Sequence, residues 1–259
     1  MIKNKHTFWD DHPCGNLNND KIRNIEYRMK KEPFLKDLIL GLKLQNNIKL
    51  LEIGCGQGLE AIYLASLLNK SQSKYYGMDL SNNSILQAKK LFEMQNIKNY
   101  QFDCLDAIEI NNFYSRSYFD FIFSFGVLHH TDKTFYIINY IIYDILKKNS
   151  SALIFMYNKT SPKVFVALFL RKLSRFIDYI FNKENIIYLI LKKYFNKYLN
   201  DTMVYECFGV PILKGYTKSE LLKFIDKEKY LIEITSYDNK KFFHGFLPYM
   251  HKIKLKRIK

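Results

Sequence analysis

Short apolar runs alternate along this chain with stretches whose apolar residues recur every three to four positions. Ile48–Ile53 is apolar and stops at Gly54, as a buried strand does. Leu59–Leu68 reads as a helix, and Tyr75–Met78 as a second strand. Ser81 is a good N-cap for a helix to about Gln95, with Ile85, Leu86, Ala88 and Phe92 on one face. Tyr100–Leu105 and Phe119–Ser124 read as a third and a fourth strand. Asp132 or Thr131 caps a helix running to about Lys148, and Phe135, Ile138, Ile142, Ile145 and Leu146 share its buried side. Ser151–Tyr157 makes a fifth strand. Strand and helix in strict alternation predict βαβ units, a mostly parallel sheet and right-handed crossovers, the α/β class.

The flanks depart from this rhythm. Residues 1–33 are polar with scattered aromatics, and a helical pattern follows at Phe34–Leu44. Beyond Tyr157, Pro162–Asn200 is helical but carries apolar, aromatic and basic residues on nearly all sides. A helix at Ser219–Lys227, with Thr217 as its cap, leads into two last strands at Tyr230–Tyr237 and Phe242–Leu247. The expected organisation is an N-terminal lid or helical segment (1–47), an α/β core (48–160), a helical insertion (161–216) and a C-terminal helix with the last two strands (217–259). An insertion of this length exceeds an ordinary loop and carries its own helices.

Composition narrows the class. With 48% hydrophobic and 16% aromatic residues in 259, the chain has enough apolar surface for a large core. No apolar run approaches the ~18–20 residues of a spanning helix, and MIKNKHTFWDD has no signal-peptide core, so a cytoplasmic protein is expected. Cys14, Cys55, Cys104 and Cys207 form no CxxC pair and have no His at zinc spacing, so they read as free thiols. The net charge of +15 invites a nucleic-acid reading. Its basic residues are nevertheless spread along the chain, apart from the tail Lys252–Lys259, and nucleic acid is not the expected partner. An anionic membrane or an acidic substrate suits the charge at least as well.

The chemical signal is Leu50–Gly58, LLEIGCGQG, where a strand ends, glycines turn and a helix begins. Glycines let a backbone approach a ligand closely, and the helix start offers free N–H groups. A dinucleotide fingerprint wants a third glycine at position 59, which is Leu, and the Gly-Lys-Ser/Thr ending of a P-loop is missing. Glu52 precedes the first glycine instead. An acid there suits a cationic ligand, such as the sulfonium and ammonium of S-adenosylmethionine, better than a pyrophosphate.

LEIGCGQG resembles motif I of the class I S-adenosylmethionine-dependent methyltransferases, and further motifs follow in that family's order. The resemblance implies a Rossmann-like, seven-stranded, mostly parallel sheet with helices on both faces and S-adenosylmethionine as cofactor. It implies that Glu52, Gly54, Cys55, Gly56 and Gly58 line the cofactor site, that Asp79 with Leu80 meets the ribose, and that Asp106 with Ala107 lies by the adenine. Asp103 competes for the adenine role, but alternation puts Asp106 at the strand's ligand end. Phe125–Lys133, FGVLHHTDK, resembles the segment after the fourth strand in many small-molecule methyltransferases, and Phe125 is included among the cofactor contacts. The segments FWDDHPCGN, EYRMKKEPF and KGYTKSELL resemble a narrower bacterial group of the family.

The expected activity is methyl transfer to a small-molecule acceptor: a metabolite, a sugar or a lipid- or quinone-like compound. His129 and His130 are the candidate bases, and Trp9, His12, Tyr157 and Asn158 the candidate acceptor contacts. Trp9, Asp10, His12 and Cys14 lie close in sequence but fit no standard metal spacing, so no metal is expected. The second reading is an RNA-binding or RNA-modifying methyltransferase driven by the basic surface, although no Asn/Asp-Pro-Pro-Tyr-type tetrad occurs. A third, a non-catalytic partner subunit, sits poorly with an intact turn and acids. Phe165, Leu168, Phe169, Leu173, Phe176 and Ile180 form one helical stripe flanked by Lys163, Arg171, Lys172 and Arg175. The preferred reading buries that stripe in a cap over the site. The other lays the 163–200 helices on an anionic membrane. Oligomeric state stays open.

Overall fold

A computed structural model describes residues 5–12, 21–68, 72–183, 186–194, 205–237 and 249–259. In chain order the elements begin with α1 (Lys5–Asp11), α2 (Lys21–Lys31) and α3 (Pro33–Leu40). The core follows as β1 (Lys49–Ile53), α4 (Ala61–Ser66), β2 (Lys74–Asp79), α5 (Asn82–Met94), β3 (Tyr100–Cys104), α6 (Ile110–Phe113) and β4 (Phe119–Phe125). Next comes α7, which is α-helical at Thr134–Tyr136, π-helical at Ile137–Ile142 and α-helical again at Tyr143–Ile145. β5 (Leu146–Tyr157), α8 (Pro162–Ile180), α9 (Ile186–Tyr194), a π-helical turn (Tyr205–Gly209), α10 (Lys218–Phe224), β6 (Tyr230–Tyr237) and β7 (Met250–Arg257) follow among the described residues.

The seven strands pair in the order β3-β2-β1-β4-β5-β7-β6, and β7 alone runs antiparallel to its neighbours. This is the Rossmann-like, mostly parallel seven-stranded sheet that the sequence resemblance implies. Strand alternation divides the core into two layers. Leu50, Phe123 and Phe155 face α3, α4 and α5 through Leu35, Ile39, Leu64 and Phe92. Leu51, Ile53, Ile122 and Ile154 face α7 and α10 through Ile138, Ile142 and Leu221. The sheet order reverses between β1 and β4, so a crevice opens beyond their carboxyl ends.

Local signals set most boundaries. Ser81 caps α5 by accepting from Ser84 N at 3.0 Å. Thr217 caps α10 in a reciprocal box with Glu220 at 3.1 and 2.7 Å.

Several expectations need correction. The Lys252–Lys259 segment is no loose tail, because most of it forms β7. Met250, Ile253 and Leu255 are buried there while Lys254 and Lys256 point outward. A strand at Phe242–Leu247 falls outside the described residues. The polar N-terminal stretch contains two helices. The helix expected to reach Lys148 stops at Ile145, and β5 begins at once with Leu146, five residues before the expected Ser151. The aromatic stripe of α8 is not core: Val164, Ala167, Arg171 and Ser174 face inward, and Phe165, Phe169, Leu173, Phe176 and Ile180 face solvent. The inward side is small because it packs close against the 205–213 segment. Arg171 donates there to the carbonyls of Val210 and, at 2.7 Å, Pro211.

Candidate functional site

A cavity of about 390 Å³ fills the crevice beyond β1 and β4. Its floor is the glycine turn. Gly54 N and Cys55 N donate to Met78 O at 2.7 and 2.9 Å, which ties the turn to the end of β2. Gly54, Gly56 and Gly58 all adopt positive φ (77°, 52° and 83°). A Cβ on Gly54 would stand 2.2 Å from Val127 Cγ2, whereas one on Gly56 would meet nothing within 4 Å. The first glycine therefore serves packing, and the second leaves room at the cavity wall.

Asp79 ends β2 and holds the turn. Its Oδ2 accepts from Gly56 N and its Oδ1 from Ser81 N, both at 2.9 Å. Burial raises the Asp79 carboxyl, and these two N–H donors pull it back down. Asp106, Ala107, Leu80, Cys55 and Phe125 also line the cavity. Asp103 does not. It accepts from Tyr114 Oη and, at 3.0 Å, from Gln101 Nε2. Burial, then Asp79 and Glu52, push the Cys55 thiol well up, so it stays protonated and is no nucleophile.

Glu52 is only 2% exposed and accepts from Tyr75 Oη at 2.5 Å. Burial and the neighbouring Glu60 push its carboxyl up to about 8, against the Tyr75 hydroxyl and Arg28, which favour the anion. Beside it Arg28 Nε pairs with Glu60 Oε1 at 2.5 Å, and its guanidinium lies 5.2 Å from the Phe125 ring centroid. Burial works against the Arg28 charge, but Glu60 and Glu32 outweigh it and hold the guanidinium above its ordinary range. Glu32 in turn accepts from Tyr249 Oη. Sequence reasoning missed Arg28, Glu32, Glu60 and Tyr249. The EYRMKKEPF resemblance contains Arg28 and Glu32 but assigned them no role, and nothing in the sequence pointed to Glu60 or Tyr249.

The α1 helix roofs the cavity with Phe8, Trp9 and His12. Asp10 Oδ1 accepts from Ser81 Oγ at 2.8 Å and from Asn83 N at 3.1 Å. His12 Nδ1–H donates to Phe8 O at 3.0 Å, so its Nε2 accepts from Tyr188 Oη of α9 at 3.2 Å. The first helix is thus bound to α5 on one side and to the insertion on the other.

The two adjacent histidines part company. His130 lines the cavity, with its ring 5.5 Å from Trp9. Its Nδ1–H donates to Ile212 O at 2.7 Å, which leaves Nε2 as the basic nitrogen. Burial pushes it down to about 4, opposed by that carbonyl, so the ring is neutral at pH 7. His129 is fully buried, stacked 3.9 Å over Tyr157, and neither ring nitrogen has a hydrogen-bond partner among the described residues. It does not line the cavity. Tyr157 does; Asn158 does not, since its Oδ1 accepts from Thr160 N and Oγ1 at 3.0 and 2.8 Å.

Among the described residues six acidic side chains line the cavity (Asp11, Glu32, Glu52, Glu60, Asp79 and Asp106) against Arg28 and Lys163, with Glu52 held in its neutral form near pH 7, in a chain of net charge +15. Among the described residues no group of three or more His, Cys, Asp or Glu is placed to hold a metal.

A family model described as a methyltransferase domain matches residues 44–176, just over half of the chain. The chain belongs to that family. Its α/β core is a class I methyltransferase domain, whose cofactor is S-adenosylmethionine. An uncharacterised protein of Rickettsia prowazekii is 29% identical over 157 residues, which make up 60% of each chain. The chain thus spans less than two thirds of that relative. Among solved structures, a putative methyltransferase in complex with the Haloferax volcanii Trm112 activator is 10% identical with TM-score 0.59, covering 92% of this chain and 95% of that one. PKMT2 of Rickettsia typhi, solved in complex with AdoHcy, is 18% identical with TM-score 0.56, covering 86% and 52%.

The residues present suit this cofactor. Empty space stands where Gly56 and Gly126 lack a Cβ. A wall of carboxylates welcomes a sulfonium and an ammonium and would repel a pyrophosphate.

Proposed function

We propose that this methyltransferase acts on a small-molecule acceptor: a metabolite, a sugar or a lipid- or quinone-like compound. One observation carries the reading: the cavity is acidic and roofed, although the protein is strongly basic. An RNA strand drawn by the +15 charge would meet carboxylates at the site itself. A folded macromolecule would have to displace α1 from its bonds to α5 and α9.

Bound S-adenosylmethionine supplies an activated methyl group, so the protein has little covalent work to do. Asp79 and the glycine turn would hold the ribose and amino-acid ends and Asp106 with Ala107 would lie by the base, while Glu52 beside the Arg28–Glu60 pair would ionise as the cationic cofactor arrives. Trp9, His12, Phe125 and Tyr157 shape the acceptor side and exclude water. His130 lines the cavity with Nδ1 committed to Ile212 O, so its unprotonated Nε2 is the nitrogen that would take a proton from an oxygen or carbon acceptor.

Labelled S-adenosylmethionine and purified protein added to cell extract test the reading. Label should enter the metabolite or lipid fraction, with a +14 Da mass difference per methyl on the product. Label confined to RNA or protein overturns it.

A further inference from the structure

We infer that the outer face of α8 and α9 docks this protein peripherally on an anionic lipid surface. On a helix that packs on a soluble domain, the apolar arc faces inward. On α8 the arrangement is reversed. The inward residues Val164, Ala167, Arg171 and Ser174 follow a 3-4-3 spacing and lie nearly opposite Phe165, Phe169 and Phe176. Those three phenylalanines are 63%, 60% and 59% exposed. Val166, Leu173 and Ile180 extend the outer arc, and exposed Leu189 and Ile190 continue it onto α9. An apolar face of this extent, left to water, marks an interaction site.

Charge chooses the occupant. Lys163, Lys172 and Arg175 are exposed along the margins of the arc, and the whole chain is +15. A second copy would set these cations against their own equivalents. An anionic bilayer accepts both features at once: phenylalanines sink below the headgroups while lysine and arginine stay among them. The helix would lie flat, because no helix among the described residues is long and apolar enough to cross a membrane. The face also adjoins the site: Lys163, in the first turn of α8, lines the cavity and lies 4.7 Å from the Tyr249 ring centroid.

Flotation of the full-length protein with vesicles tests this. One set is phosphatidylcholine alone, and the other contains a third phosphatidylglycerol. In low salt the protein should float with the anionic set at least about tenfold more than with the neutral set. Phe169→Glu/Phe176→Glu should abolish flotation, and Lys172→Glu/Arg175→Glu should weaken binding at least about thirtyfold, as loss of two interfacial charges would. These side chains are exposed, so circular dichroism and calorimetric cofactor binding should be unchanged in both variants. Those controls keep this outcome separate from the acceptor assignment. The proposal is overturned if the wild type stays unbound, if it floats equally on both sets, or if the variants float like wild type. It is equally overturned if light scattering shows a dimer that Phe169→Glu/Phe176→Glu dissociates while flotation persists.

Discussion

Asp10 and Ser81 meet in a 2.8 Å hydrogen bond from Ser81 Oγ to Asp10 Oδ1, across 71 residues of sequence. The same hydroxyl accepts from Ser84 N to cap α5. A carboxylate is thereby held at a helix N-terminus, where its charge is favoured. The consequence is functional, because Asp10 belongs to the helix that roofs the cavity and Ser81 follows the Asp79 carboxylate at its wall. Asp10→Ala should loosen the roof with little loss of global stability. Calorimetry should show S-adenosylmethionine binding weakened roughly tenfold, equivalent to about 1.4 kcal/mol. Amide exchange in residues 5–12 should accelerate while α4 stays protected. Unchanged affinity with unchanged exchange would mean that the bond does not hold the roof.

Glu52 makes stability depend on pH in a direction opposite to an ordinary surface acid. Its folded-state carboxyl is pushed up to about 8 from 4.5, chiefly by burial. Between those values the native state binds more protons than the unfolded chain, so stability falls as pH rises through the window. Glu52→Gln removes that slope. The variant should melt higher than wild type at pH 8.5, by an amount on the order of a few kcal/mol, and the difference should shrink toward pH 5. Binding of a cationic ligand favours the anion, so wild-type protein should release protons on taking up S-adenosylmethionine. Titrations in buffers of different ionisation enthalpy would detect that release, and parallel melting curves at all pH values would refute the assignment.

Much of this was readable in the sequence, and the exceptions have physical causes. The strands β1, β2 and β6 are short apolar runs closed by glycine or polar residues, so periodicity finds them. β7 hid because Lys252, Lys254 and Lys256 alternate with the buried His251, Ile253 and Leu255, and charge drew attention from that alternation. The glycine turn and Asp79 are local signals, separated by one helix and one strand. Arg28 and Glu60 are 32 residues apart on different elements, and only the fold brings them to 2.5 Å. His129 and His130 look alike in sequence. A single 3₁₀ turn at Leu128–His130 sends one ring under Tyr157 and the other into the cavity wall. The outward stripe of α8 was misjudged because periodicity shows that a helix has an apolar face, not which way that face points.

Gly54 and Gly56 should fail in different ways. Alanine at Gly54 forces a Cβ to 2.2 Å from Val127 Cγ2, at a φ that already disfavours L-residues. Gly54→Ala should lower stability by about 2–4 kcal/mol through overpacking and backbone strain. Adding Val127→Ala should restore part of it. Alanine at Gly56 meets no protein atom within 4 Å, so its fold cost is limited to about 1–2 kcal/mol for the left-handed backbone. Gly56→Ala should instead weaken cofactor affinity more than it lowers the melting temperature. Thermal melts paired with calorimetry separate the two, and identical profiles would refute the division of labour.

The two histidines give the sharpest kinetic test. With Nδ1 bonded to Ile212 O and its titration pushed down to about 4, His130 is already unprotonated at Nε2 throughout the neutral range. Methyl transfer should therefore show no acidic limb from this group between pH 5.5 and 8, and should fall only as pH approaches 4. His130→Ala should lower kcat by about 10²–10⁴, the usual worth of a positioned base, with cofactor affinity nearly unchanged. Among the described residues His129 has no partner for either ring nitrogen, and it does not line the cavity. His129→Leu removes an unsatisfied buried polar ring and should raise stability by about 1 kcal/mol while leaving kcat within a few-fold of wild type. A large kcat loss in His129→Leu with full activity in His130→Ala would reverse the assignment.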